Sequence, residues 1–373
     1  MEKFRTITED AFGRQKVSTP YTLFDAHHRY RLSNKFYSVL TNGGTLSYIL
    51  DESTANLITT ATLHSNVIFE STTVQPYQPG KSLLIFTTFV MGSDPSIRYR
   101  AGYFGTQNGI FFEVDDGVPY IVKRNKGVDT RVPQDNWNMN KLKGVLDVTK
   151  AQIFWIDIEW LGVGRVRCGF NIGGVQIPCH SFFHANIESG VYMTTACLPI
   201  RFEIEKVSAS LSIGWMKQIC ATVMSEGGYQ IRTNGYSQIR GRNLTVKGQS
   251  YPTVSLRLKP TTPDAIVLLT SIDIVLSKEA VTKWQIVKNN ISPTWTSHAQ
   301  SQLVDIDITS VGPITPSNII FEGFIYQKQS ATFDISEYDQ QLSRTTVPDV
   351  YTLVVSTEGE NVDANVLVRW NEF

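Results

Sequence analysis

The sequence predicts an all-β protein of two tandem antiparallel β-sandwich or jelly-roll domains. Runs rich in Val, Ile, Thr, Phe, Tyr and Trp alternate apolar with polar residues, the period of a strand with one buried face. These runs recur about every ten residues with Gly, Pro, Asn and Asp between them, the spacing of sandwiches. At 373 residues the chain exceeds one ordinary domain and suffices for two, each burying its own core without disulfides or metal.

The elements follow in order. Residues 1–20 show little apolar periodicity and read as an N-terminal arm, ordered against a neighbouring subunit or solvated. A first domain over 21–224 carries strand patterns at 81–91, 109–124, 151–160, 164–182, 190–198, 200–207 and 208–224. GTQNG (105–109), DDG (115–117) and IGG (172–174) supply the turn residues between strands. Helical periodicity is confined to one short turn in 135–144 and to 277–290, which reads equally as an amphipathic helix or a strand. The Gly-, Asn- and Ser-rich stretch 225–243 marks a boundary, and a smaller second sandwich over 225–373 resumes at 253–260, 265–276, 301–312, 318–327, 351–359 and 365–373.

Composition excludes several function classes. Lys plus Arg and Asp plus Glu each total 34, and the signs are interspersed, so no general attraction to nucleic acid or anionic lipid is expected. No run approaches the roughly 20 apolar residues that cross a bilayer, and the charged N-terminus lacks an export signal's apolar core. Cys168, Cys179, Cys197 and Cys220 stand singly in apolar contexts, without zinc-ligand spacing, and read as thiols of a reducing cytosol. The sequons at Asn243 and Asn290 are then chance matches.

Asp157 and Glu159 lie in AQIFWIDIEWLGVGRVRCGF, inside the most apolar run of the chain. On a strand they share a face with Trp155, while Phe154, Ile156, Ile158 and Trp160 share the other. Laminarinase-like glycoside hydrolases carry an E-x-D-x-E strand, and this sequence is similar with Trp155 in the nucleophile's place. Retaining hydrolysis needs carboxyls about 5–5.5 Å apart across the bond, whereas neighbours two apart on a strand lie side by side near 7 Å. Arg165 and Arg167 follow the LGVG turn at the same spacing, so the hairpin sets acids against bases as structural charge pairing. Each such pair contributes roughly 0.2–1 kcal/mol and helps to fix register.

No catalytic, cofactor-binding or metal-ligating set is expected. His27 and His28 belong to no ligand motif; His180 and His184 stand four apart, a ligand spacing only on a helix, and Pro178 argues against one. No nucleophile elbow appears, and YQPGKS (77–82) lacks the frame of a phosphate loop. Among 19 Phe, 15 Tyr and 7 Trp, Tyr103 in AGYFG and Trp137 in DNWN are the aromatics the sequence offers for stacking on sugar.

The ordered series EDAFGRQKVSTPYTLFDA, YQPGKSLLIFTTFVMG, RAGYFGTQNGIFFEV, QDNWNMNKLKG, AQIFWIDIEWLGVGRVRCGF and HANIESGVYMTTACLPIRFEI resembles a family of virion structural proteins of aquatic tailed bacteriophages, over roughly residues 9–207. The resemblance implies a concanavalin-like first sandwich in a non-enzymatic particle component, a capsid decoration, head fibre or tail-associated protein. It implies partners among other virion proteins and copies of the chain itself, with synthesis in the host cytoplasm. The alternatives are a carbohydrate-binding adhesin for host-surface glycan and, ranked below it, a glycoside hydrolase-like sandwich.

Overall fold

The structure is a computed structural model and describes residue 15 and residues 19–230, 233–326, 330–336, 341–343, 347–359 and 361–373. The arm expected over 1–20 lies, apart from residues 15, 19 and 20, outside the described residues. By contact the chain divides into Met1–Gln230 and Ile231–Phe373, so the first unit runs six residues past 224.

Both units are antiparallel β-sandwiches, the first concanavalin-like. Its eight-stranded sheet runs Val175–Phe182, Val166–Ile172, Gln152–Ile158, Leu83–Met91, Trp215–Ser225, Thr54–Ile58 and Thr45–Ile49, with Tyr21–His27 also pairing to Trp215–Ser225. The opposing seven-stranded sheet runs Val128–Pro133, Val118–Asn125, Gly109–Asp115, Ile97–Phe104, Ile200–Lys206, Asn66–Ser71 and Phe36–Thr41. Alternation decides what fills the space between them. Phe89, Phe154, Ile156 and Phe170 from one sheet and Phe69, Tyr99, Phe112 and Phe202 from the other belong to one buried cluster. Phe112 meets Phe170 edge to face at 5.1 Å and Phe89 stacked at 5.9 Å, so aromatic contacts tie the sheets together.

The second unit has a four-stranded sheet, Asn234–Leu244, Val362–Glu372, Val267–Leu276 and Ala331–Asp334. Its six-stranded partner runs Thr296–Ser297, Val304–Asp307, Ser250–Leu258, Tyr351–Thr357, Val281–Lys288 and Ile319–Tyr326. Trp284, Tyr351, Leu353, Val366 and Trp370 anchor its core.

Four local expectations are resolved or corrected. Residues 281–288 resolve the open reading as strand, because Thr282, Trp284 and Ile286 turn inward at period two. The turn expected in 135–144 is only the 3-10 segment Gln134–Asn136. The strand expected at 190–198 is a loop: Tyr192, Met193, Ala196 and Leu198 are buried, but their neighbours bond side chains rather than a ladder, as Thr194 N–H does to Asn108 Oδ1 at 3.0 Å. The boundary stretch 225–243 holds the division between the units and also most of an 11-residue strand, Asn234–Leu244, paired along its length with Val362–Glu372. Arg240 and Arg242 hold it by donating to the Ser310 carbonyl at 3.0 and 2.7 Å, a polar anchorage that apolar patterning does not reveal.

Candidate functional site

The acids of the central hairpin occupy a ladder position. Asp157 and Arg167 are register partners, joined by an ion pair on the sheet face opposite the core, where Trp155 is also fully buried. Glu159 lies just past the strand: its N–H donates to the Arg165 carbonyl at 2.9 Å, and its carboxylate accepts the Arg165 N–H at 3.4 Å. The four charged residues thus clamp the two sides of the Trp160–Gly164 turn.

The two aromatics expected to stack on sugar are core residues instead. Tyr103 is fully buried and its hydroxyl donates to the Ala196 carbonyl at 2.8 Å; Trp137 is buried, with its indole N–H bonded to the Val132 carbonyl at 3.1 Å. The flanking residues that suggested exposure have other roles, Gly102 lying inside the strand Ile97–Phe104 and Asn136 in the 3-10 segment Gln134–Asn136, while the rings point inward. Cys168 and Cys179 are buried in the same core, and burial pushes the Cys179 thiol up to about 12. His180 accepts the Asn138 N–H at 3.3 Å and burial lowers it to about 4. His27 is exposed, whereas His28 is buried against Gln218 and Phe69. Among the described residues no three His, Cys, Asp or Glu side chains gather as metal ligands, and no helix is long and apolar enough to cross a membrane.

A second charged surface was missed from sequence. On the seven-stranded sheet, Ile97, Tyr99, Ala101 and Tyr103 turn into the core, so Arg98, Arg100, Gly102 and Phe104 face out. Successive register partners place Arg100 between Glu203 and Glu113. Its guanidinium reaches Glu113 at 2.6 Å and Glu203 at 3.1 Å. Arg131 reaches the other oxygen of Glu113 at 2.6 Å, Arg201 reaches Glu203 at 2.6 Å and Glu70 at 3.0 Å, and Arg124 holds Asp129 at 2.6 Å. Phe104 and Phe111 stack at 4.3 Å beneath this lattice, with the Arg124 guanidinium 5.0 Å above Phe111 and that of Arg201 5.4 Å above Phe104. Gly102 is required between Arg201 and Phe111, because a Cβ there would come within 2.6 Å of Phe111 Cα.

The electrostatics of this face are those of a closed lattice. Burial alone would raise the Glu203 carboxyl, but the Arg201 and Arg100 guanidiniums outweigh it and hold Glu203 at about 2. A glycosidic general acid needs the opposite, a carboxyl raised toward neutrality. The Glu203 carboxylate is therefore held as an anion between its arginines, suited to holding strands in register.

One end of the first sandwich carries an exposed apolar cluster. Leu161 and Val163 project from the 159–164 turn, and Phe183, Ile187 and Val191 from the segment after Phe182; Ile187 is 70% exposed. The two segments are bolted together. Tyr192 N–H donates to the Gly162 carbonyl at 2.9 Å, and His184 stacks on Tyr192 at 3.9 Å with its Nδ1 2.5 Å from the Gly164 carbonyl. That carbonyl can only accept, so Nδ1 carries the proton, and burial lowers the pKa of the ring. Lys123 and Glu188 form an ion pair at 3.3 Å beside the cluster. Scattered apolar letters in loops gave no sequence signal for this patch.

No protein-family model matches the chain, and no curated protein matches it in sequence. Among solved structures it is similar to a protein of unknown function from Shewanella oneidensis MR-1, at 10% identity over 58% of this chain and 92% of that one, with a TM-score of 0.39. It is also similar to the CBM2 module of an evolved Dit of Lactobacillus casei BL23 phage J-1, at 8% identity over 57% and 98% of the two chains and a TM-score of 0.40. A third is arcelin-5, a lectin-like defense protein from Phaseolus vulgaris, at 10% identity over 56% and 99%, with a TM-score of 0.33.

Proposed function

We propose that the chain is a non-catalytic structural component of a bacteriophage particle, made in the host cytoplasm and acting by assembly with copies of itself and with other virion proteins. The observation that carries the assembly reading is the apolar end of the first sandwich. Contiguous exposed apolar surface that is held rigid and rimmed by polar groups is the mark of an interface. Five exposed apolar side chains on two cross-bonded segments, with the Lys123–Glu188 ion pair near them, support that reading. The occupant is a second copy of the chain: the Lys123–Glu188 pair at the edge offers one charge of each sign, which a two-fold contact can exchange between protomers. The particle assignment draws its support from the ordered motifs of residues 9–207, and the non-catalytic one from carboxylates locked by arginines.

Light scattering coupled to size exclusion tests the assembly. Wild type is expected to run as an oligomer at micromolar concentration, and the double variant Phe183→Asp, Ile187→Asp as a monomer with unchanged circular dichroism. A monomeric wild type, or an equally oligomeric variant, refutes the interface. Mass spectrometry of purified particles tests the location, and absence of the chain from them ends the particle reading.

A further inference from the structure

The outer face of the six-stranded sheet in the second unit offers a ligand site independent of the particle reading. Trp284, Ile286, Leu353, Val355 and Ile325 turn into the core, so Lys283, Gln285, Ser356, Phe324 and Tyr326 face away from it. Ser250, Ser356, Lys283 and Phe324 are successive register partners, one row crossing four strands. Tyr326, two residues beyond Phe324, lies on the same side, and each residue is 65% exposed. Two residues along a strand put the rings about 7 Å apart.

Ser250, Ser356, Lys283, Gln285 and Phe324 border an open hollow of about 340 Å³, at the low end of small-ligand sites, and Tyr326 stands outside its lining on the same strand as Phe324. Its polar groups are paired in charge yet keep hydrogen-bonding capacity. Lys283 Nζ and Gln285 Nε2 both reach Glu322 Oε2, at 2.8 and 2.9 Å, and Lys247 pairs with Glu358 at 3.4 Å. The ammonium has three donors, the amide a carbonyl and two N–H groups, and the carboxylate a second oxygen. The Lys283 Nζ also stands 5.7 Å from the Phe324 ring centroid, setting donors beside the ring.

We propose that this face binds a neutral glycan. A pyranose ring presents C–H faces that lie against an aromatic ring and a rim of hydroxyls that both donate and accept. Exposed Phe324 and Tyr326 fit the faces of neighbouring sugar units, and Lys283, Gln285, Glu322, Ser250 and Ser356 fit their hydroxyls. With Lys283 and Lys247 paired to glutamates, the charges of this row are balanced among the described residues, which favours a neutral sugar over an ionised one. The platform is built on strands rather than loops, which keeps the stacking geometry fixed.

The test applies the full chain to an array of neutral glucan, mannan and galactan oligosaccharides alongside sialylated and uronic acid counterparts. The best-bound neutral oligosaccharide is then titrated calorimetrically against wild type, Phe324→Ala, Tyr326→Ala and Lys283→Met. Both aromatic side chains are exposed, so melting temperatures should hold and lost binding is separable from lost fold. Neutral glycan binding that weakens tenfold or more in each aromatic variant is the expected result. Absence of neutral glycan binding, selective binding of acidic glycans, or a Phe324→Ala, Tyr326→Ala double variant within twofold of wild type overturns it. Oligomeric state does not enter this readout, so its outcome and that of the assembly test are distinguishable.

Discussion

Replacing Arg100 by Met tests whether the charged lattice of the seven-stranded sheet holds that sheet together. Arg100 lies between two carboxylates with little solvent access, Glu113 with none and Glu203 with 6% of its side chain exposed. Met fills much of the same volume but leaves Glu203 to Arg201 and Glu113 to Arg131. The fall of the Glu203 carboxyl from 4.5 to about 2 corresponds to about 3 kcal/mol of interaction with its charged surroundings. Arg201 and Arg100 supply most of it, and removing one partner of a buried pair costs roughly 3–5 kcal/mol. We take about 3 kcal/mol, which for a unit of this size lowers its melting temperature by roughly 6–12 °C. Glu203 is depressed in the folded state, so its stabilisation is complete above the unfolded value near 4.5 and fades as pH falls toward 2. Scanning calorimetry at pH 7 and pH 3 should thus show a large gap between wild type and variant that shrinks by about half at pH 3. A variant as stable as wild type at pH 7, or a gap unchanged at pH 3, would refute the reasoning.

Two further expectations concern the first unit. His180 is lowered by burial to about 4, so it folds neutral while the unfolded ring titrates near 6.5. Its stabilisation is present above pH 6.5 and lost as pH falls toward 4; urea titrations at pH 7 and pH 4.5 should show wild type losing more than His180→Gln, and parallel losses would count against it. Glu159 binds the Arg165 N–H at a turn rather than facing a second catalytic carboxyl. Polysaccharide hydrolysis, followed by reducing-sugar release, should therefore be the same in wild type and Glu159→Gln, and a loss confined to the variant would restore the hydrolase reading.

What could be read from sequence was set by range. The alternation of Phe154, Ile156 and Ile158 is local, and it located a core strand and the turn joining it to the next. The Asp157–Arg167 pair is ten residues apart across that turn, close enough for spacing alone to bring it together. The Glu70–Arg201 and Arg100–Glu203 pairs span 131 and 103 residues. Their neighbours in space depend on a strand order, with Ile200–Lys206 between Ile97–Phe104 and Asn66–Ser71, that alternation does not encode. Tyr103 and Trp137 failed for a related reason. A flanking glycine or asparagine reports only the local backbone, whereas the direction of a ring follows from strand parity and from partners such as the Ala196 carbonyl, 93 residues away.

The contrast between the charged lattice and the second unit's aromatic row bears on where recognition occurs. Both sit on the outer faces of sheets, and both combine aromatic rings with ionic groups. In the lattice, guanidiniums cover Phe104 and Phe111 so completely that neither ring has accessible surface. A ligand would have to break charge pairs held at 2.6–3.1 Å in a low-dielectric setting before touching a ring, a cost of several kcal/mol with little to offset it. On the second unit's sheet the Lys283–Glu322 pair is solvent-accessible and screened by water, so a ligand's hydroxyls could replace it at small cost while Phe324 and Tyr326 remain uncovered. The same residue types thus act as mortar where they are buried and leave a surface open to ligand where they are not.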